Sequence, residues 1–235
     1  MQIMLTNDDG IDAPGLAALE RALQPLRNYV VLAPDRHLSG CSHRATTDRH
    51  LELTELSAGR HALDGTPADC TRVGLMHLWP QIEWVIAGIN DGGNLGADVY
   101  LSGTVAAARE AALHGKLAIA VSQYRRRGAA ADWERAARWT QRVLRILLEQ
   151  SPHAGRFWNV NLPDPAGDDF AGNGKDFEPE IVFCPLDPHP LPVQFLRDEG
   201  RLRYQGDYHQ RLRRAGHDVD VCFSNRIAVT PLKLG

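Results

Sequence analysis

No apolar run in the 235 residues approaches the roughly 20 needed to cross a bilayer. The N-terminus also lacks the basic region, apolar segment and cleavage site of a signal peptide. The expectation is a cytoplasmic protein with no membrane partner. Cysteine is sparse: Cys41, Cys70, Cys184 and Cys222 are widely scattered, with no CxxC pair. That spacing argues against a disulfide framework and against a structural zinc site, leaving four small neutral thiols. Positive charge is not in excess either. The 26 Lys and Arg against 29 Asp and Glu give a net charge of -3, so the chain has no overall basic field to gather nucleic-acid polymers by counterion release. Internal repeats and low-complexity tracts are missing too.

What is present is an ordinary globular composition, 43% hydrophobic and 23% charged, far from that of a disordered chain. Residues 2–6 (QIMLT) and 29–33 (YVVLA) are short apolar runs. Between them Leu16, Leu19 and Leu23 recur at helical spacing, with Pro14 at a plausible first turn. This predicts a β-α-β unit and a parallel strand pair. The pattern repeats with a strand over 84–89 (WVIAGI), a helix ending near Gly115 and a strand over 117–122 (LAIAVS). Continuous apolar strands of this kind belong to a sheet covered on both faces. Residues 132–150 read as a covering amphipathic helix opened by an acidic residue, and 157–162 (FWNVNL) as a further strand.

The character changes after Leu162. A Pro-, Gly- and Asp-rich loop precedes IVFCPL, LPVQFL and RLRYQGDY, which read as short antiparallel strands, and RIAVTPL closes the chain as one more strand. The predicted organisation is a core over 1–162, an extended arm over 163–225 and a returning strand over 226–235.

In an open parallel sheet, ligands collect at the carboxyl ends of the strands. The loop after the first strand holds Asn7, Asp8, Asp9 and Gly10; the second holds Asp35, Ser39, Ser42 and His43; the third reads NDGGNLG and then LSGT. Asp8 and Asp9 repel one another, so something must favour keeping them adjacent. With the oxygens of Ser39 and Asn90 they make an all-oxygen set suited to one hard divalent cation, Mg²⁺ or Mn²⁺. The competing reading of Asp-Asp-Gly is a turn with a helix N-cap, in which Gly10 supplies an unusual dihedral.

Ser102, Gly103 and Thr104 open an alanine-rich helix whose first N–H groups and hydroxyls converge as an anion cradle, or serve as an ordinary cap. Asn94, between Gly93 and Gly96, suits either donation to a phosphate oxygen or a left-handed turn. DGTPADC (64–70) reads as a turn entering a helix capped by Thr66, with Pro67 in its first turn. His37 and His43 read as solvated loop histidines. A cation site and an anion cradle on neighbouring strand ends together point to phosphoryl chemistry.

Taken in order, TNDDG, APD followed by Ser39, GTPADC, GIN-x-G-x-N-x-G, SGTVAAA, NVNLP and VTPL resemble the SurE family, survival protein E, of metal-dependent nucleotidases. Seven fragments span nearly the whole chain; each is weak, and the ordered set is specific. The resemblance implies a Rossmann-like α/β fold with a mostly parallel sheet and an extended C-terminal β arm exchanged between subunits. It also implies a homodimer or homotetramer and hydrolysis of nucleoside 5′- and 3′-monophosphates, in some members also of short polyphosphate.

Position by position, Asp8, Asp9, Ser39 and Asn90 match the family's metal ligands, and Ser102, Gly103 and Thr104 its phosphate-contacting helix start. Asp8 or Asp9, whichever keeps an oxygen free of the metal, is the expected proton acceptor. The chain departs from the family pattern at Gly93, where Pro is usual, at Cys222 and Phe223, where smaller residues are common, and in the more polar stretch 168–176.

Three rival readings differ in chemistry. A phosphoaspartyl phosphatase needs Asp-x-Asp, which this loop lacks. A phospho-receiver signalling domain wants an Asp ending a central strand and a Lys ending a later one, where this chain has Asn90, and Ser122 with Gln123. A non-catalytic nucleotide or phosphate sensor keeps the same residues and is separated only by assay.

Overall fold

The structure, a computed structural model, describes residues 2–150, 155–165 and 177–234. The first β-α-β unit forms as expected: β1 (Ile3–Thr6), α1 (Pro14–Leu23) and β2 (Tyr29–Pro34). β1 and β2 are parallel, and α1 buries Leu16, Leu19 and Leu23. A short antiparallel pair follows, β3 (Leu53–Ser57) and β4 (Arg60–Leu63), and then α2 (Pro67–Val73). Thr66 caps α2 in a full capping box with Asp69, as its sequence predicts.

The second repeat of the pattern gives β5 (Trp84–Asp91), α3 (Gly103–Leu113) and β6 (Leu117–Gln123). Next come α4 (Trp133–Leu147), capped by the side chain of Asp132, and β7 (Arg156–Leu162). The rest of the chain holds β8 (Ile181–Phe183), β9 (Phe195–Asp198), β10 (Arg201–Tyr204), α5 (Asp218–Phe223) and β11 (Ile227–Lys233).

Nine strands form one sheet in the order β3-β4-β2-β1-β5-β6-β7-β11-β8, and β9 with β10 makes a separate hairpin. From β4 to β7 every neighbouring pair is parallel. The direction reverses at β3 and again between β7 and β11. Alternate residues of the central strands face opposite layers. Ile3 and Leu5 pack with α1 and α4 in one core, whereas Met4 packs with Leu32, Val85 and Val105 of α3 in the other. Two covered faces explain why the central strands read as unbroken apolar runs.

Sequence and structure part at the C-terminal side. Ile181–Phe183 is not an antiparallel strand of the arm; it joins the main sheet parallel to β11. The hairpin β9–β10 is antiparallel, as expected. The polar stretch 168–176 lies outside the described residues. Segment 184–218 is fastened over the loop after β5: Arg211 pairs with Asp98 at 2.7 Å, and Tyr208 Oη donates to the same carboxylate at 2.9 Å. The carboxylate of Asp218 accepts from Gly96 N and Asp187 N, each at 2.8 Å. Among the described residues no helix is long and apolar enough to cross a membrane.

Candidate functional site

The loop after β1 turns sharply, and Asn7 closes the turn. Its side chain donates to Gly10 O at 2.8 Å and accepts from Gly10 N at 3.2 Å. Gly10 supplies the left-handed step with φ of 106°. The N-cap of α1 is Ala13, with no side-chain cap. Neither Asp8 nor Asp9 is therefore the cap that one reading of the sequence offered; the turn is complete without them.

Asp8 is buried, its side chain lying against the start of α3. Thr104 Oγ1 donates to Asp8 Oδ1. A Cβ at Gly103 would fall 2.8 Å from Cys41 Sγ and 2.9 Å from both Asp8 Cβ and Asp8 Oδ2, so only glycine lets the helix start approach this closely. Burial pushes the Asp8 carboxyl up to about 6; the Thr104 hydroxyl works against that rise and the Asp9 charge adds to it. Burial also raises Asp9, opposed first by the Asp91 amide, which donates to Asp9 Oδ2 at 3.1 Å, and then by His37, whose Nδ1 lies 3.3 Å from Asp9 Oδ1. His37 is exposed, as the solvated reading expects, and is at the same time a neighbour of the acidic pair.

Of the expected neutral donors, Ser39 sits on the loop after β2 and Asn90 near the carboxyl end of β5. Leu38 N donates to Asp8 O at 2.7 Å, which brings the second loop, with exposed Ser39, alongside the first. Asn90 directs its amide nitrogen to Gly92 O at 2.7 Å, leaving its carbonyl oxygen as the side-chain donor for a ligand. Among the described residues no group of three or more His, Cys, Asp or Glu is arranged to hold a metal. The expected donors are two carboxylates with a hydroxyl and an amide oxygen, all hard oxygens, and burial raises both carboxyls, a cost that a nearby divalent cation would relieve. The residues fit Mg²⁺ or Mn²⁺ in kind and charge.

The start of α3 shows the helix cap that one reading of the sequence offered, with its first amides left over. Ser102 accepts from Val105 N at 3.0 Å, so the cap is real. Gly103 N and Thr104 N, in the first turn of an 11-residue helix, have no intrahelical acceptor and carry the positive end of its dipole. Asn94 does not take the left-handed turn that one reading offered. It is buried in a polar chain, donating to Ser122 Oγ at 2.8 Å while its backbone bonds Asn159 and Asn161. A phosphate contact would have to use its second amide hydrogen.

The family model described as survival protein SurE matches residues 3–175. The chain belongs to the SurE family. It is 47% identical over 234 residues to a Synechocystis sp. protein, each covered completely. It is 38% identical over 243 residues to the 5′-nucleotidase SurE of Geobacter sulfurreducens, covering 100% of this chain and 88% of that one. A 5′/3′-nucleotidase SurE of Yersinia pseudotuberculosis is 36% identical over 243 residues, covering 100% and 90%. The crystal structure of the SurE protein from Aquifex aeolicus superposes with a TM-score of 0.83 at 29% identity, over 100% of this chain and 94% of that one.

Around this SurE site lie residues that the sequence reading passed over. Glu110 of α3 is buried and accepts from Arg72 Nε at 2.5 Å, with His43 Nε2 at 2.6 Å and His114 Nε2 at 3.1 Å. Burial alone would raise its carboxyl, but His43 and Arg72, with His114, outweigh burial and hold it at about 2. His43 is thereby anchored, contrary to the solvated reading, and it ties the loop that carries Ser39 to α3. Asp69 extends the same fastening by accepting from Thr46 N at 2.8 Å and Thr46 Oγ1 at 2.7 Å. The signal for Glu110 was a single carboxylate on a run of small residues, AAAREAAL, where a buried charge demands partners.

Proposed function

We propose that this protein is a 5′-nucleotidase that hydrolyses nucleoside 5′-monophosphates to nucleoside and phosphate with one divalent ion, Mg²⁺ or Mn²⁺. It takes 3′-monophosphates and short polyphosphate as further substrates and works as a homodimer or homotetramer through its C-terminal arm. The observation that carries the reading is the meeting of a redundant acidic pair with a free helix start. Asn7 and Gly10 complete the β1 turn without either carboxylate, and Asp8 is pressed against Gly103 with Thr104 as its donor. The names of the relatives support the same activity.

Asp8, Asp9, Ser39 and Asn90 would hold the ion. When bound, it supplies a Lewis acid toward the phosphoryl oxygens and lowers the pKa of water. The amides of Gly103 and Thr104, with the Ser102 hydroxyl, receive the equatorial oxygens and are preorganised for the charge that builds there. Thr104 fixes the rotamer of Asp8. Asp91 N and His37 fix that of Asp9. One of the two carboxylates takes the proton of the attacking water. The water oxygen bonds to phosphorus, the P–O ester bond breaks, and the leaving nucleoside oxygen takes up the proton that the carboxylate accepted from the water.

Phosphate release from 5′-AMP, 3′-AMP and tripolyphosphate, measured with Mn²⁺, Mg²⁺ and EDTA, tests this reading. Release that needs the divalent ion is expected. Tight nucleotide binding with no release under any metal would replace the enzyme by the sensor reading, and release undiminished in EDTA would overturn the metal.

A further inference from the structure

A cleft of about 630 Å³ opens at the carboxyl ends of β5 and β6, beside the acidic pair. Its size lies within the roughly 300–1,000 Å³ of small-molecule sites. Asp91 joins cleft and site: its backbone N–H holds Asp9, and its side chain lines the cleft. The wall opposite is cationic, formed by Arg125, Arg126 and Arg127, with Tyr124, Tyr208 and His209 as aromatic lining.

The charges on this wall are unequal. Arg125 pairs with Asp91 at 2.8 Å, and its charge also reaches Asp9. Arg126 reaches Asp164 at 3.9 Å, a carboxylate that Arg135 already holds at 3.2 Å. Arg127 has no ion-pair partner among the described residues and is exposed. Three arginines line the cleft against one lining carboxylate; with Arg125 on Asp91, and Arg126 on Asp164, whose other partner Arg135 also reaches Asp132 at 4.0 Å, Arg127 is the cationic group left uncompensated. A nucleoside monophosphate gives its only anion to the α3 cradle, and the nucleoside that remains is neutral. That uncompensated charge has no counterpart in such a substrate.

Resting on the nucleotidase reading, we propose that the cleft is a second anion subsite and that the preferred substrates are nucleotides with a phosphate on each side of the sugar, nucleoside 3′,5′-bisphosphates. One phosphate enters the cradle at Ser102–Thr104 and is hydrolysed as described above; the other rests at Arg127, with Arg126 beside it. Arg125, held by Asp91, orients the wall. The product is a nucleoside monophosphate that keeps the distal phosphate.

The test compares kcat/KM for adenosine 3′,5′-bisphosphate, 5′-AMP and tripolyphosphate in the full-length protein with Mn²⁺, for wild type, Arg127→Gln and the surface control Arg138→Gln on α4. Wild type is expected to favour the bisphosphate over 5′-AMP by roughly tenfold, the size of one charge-assisted contact. The advantage should sit in KM and shrink as salt rises from about 50 to about 300 mM. Arg127→Gln should remove most of that ratio, and Arg138→Gln none of it. Equal kcat/KM for the two nucleotides, a ratio untouched by Arg127→Gln, or an advantage confined to tripolyphosphate would overturn the subsite.

Calorimetric affinities for the same two nucleotides give a readout that does not need turnover. Release from 5′-AMP with no bisphosphate preference would sink the subsite and leave the nucleotidase standing. No release from any ester would sink the nucleotidase, and calorimetry would still decide the subsite.

Discussion

Thr104 Oγ1 donates to Asp8 Oδ1 across a separation of 96 residues, tying the first turn of α3 to the loop after β1. The bond joins the two halves of the proposed site, since Thr104 also belongs to the proposed anion cradle. Thr104→Val is expected to lower kcat/KM by about 10- to 100-fold and to weaken divalent-ion affinity, the usual range for losing a residue that orients a ligand. Thr104→Ser should restore most of both. Rates with a metal titration check it; Val and Ser variants that behave alike would remove the role of the bond.

Gly103 is required by proximity alone, because its backbone is ordinary helix and a Cβ there would strike Cys41 Sγ and Asp8. Gly103→Ala is expected to push α3 off the acidic pair and lower activity by at least roughly 100-fold. Adding Cys41→Ala should not rescue it, because Asp8 still blocks the methyl. Full activity in Gly103→Ala would show that the close approach is dispensable.

Glu110 gives a pH signature. Its carboxyl is held at about 2 against an ordinary 4.5, so the ionised form favours the folded state. The contribution, on the order of 3 kcal/mol, is fully present above about pH 4.5 and is lost as pH falls toward about 2. Glu110→Gln should therefore lower Tm most at neutral pH, with the gap to wild type closing as pH drops through that window. At neutral pH it should also raise KM, by loosening His43 and the loop that carries Ser39. A Tm gap constant with pH would contradict the ion-pair origin.

Much of this was legible in the sequence. β1, β2, β5 and β6 are buried on both faces and so announce themselves as unbroken apolar runs, and α1 between the first pair carries a 3.6-residue stripe of Leu16, Leu19 and Leu23. The expectation that Asp8, Asp9, Ser39, Asn90 and Ser102–Thr104 share one site came from each of them ending or following a parallel strand, or opening a helix, at one edge of the sheet. What escaped notice depended on contacts distant in sequence. Leu53–Ser57 is exposed along its length, so no burial alternation marked β3. Ile181–Phe183 takes its parallel direction from β11, which its own three residues do not encode. Asp218–Phe223 alternates polar and apolar residues like a strand, yet it is a helix fixed by Gly96 N and Asp187 N on Asp218. The anchoring of His43 needed Glu110, 67 residues away.

The most direct test of the acidic pair is phosphate release from 5′-AMP by Asp8→Asn over a Mn²⁺ titration, with thermal unfolding of the metal-free protein measured alongside. Asparagine keeps the shape and the Thr104 contact but removes a carboxylate whose burial is unfavourable. Release should fall by a factor on the order of 10³, while the unfolding midpoint stays equal to wild type or rises. Substantial turnover by Asp8→Asn at saturating Mn²⁺ would contradict the account.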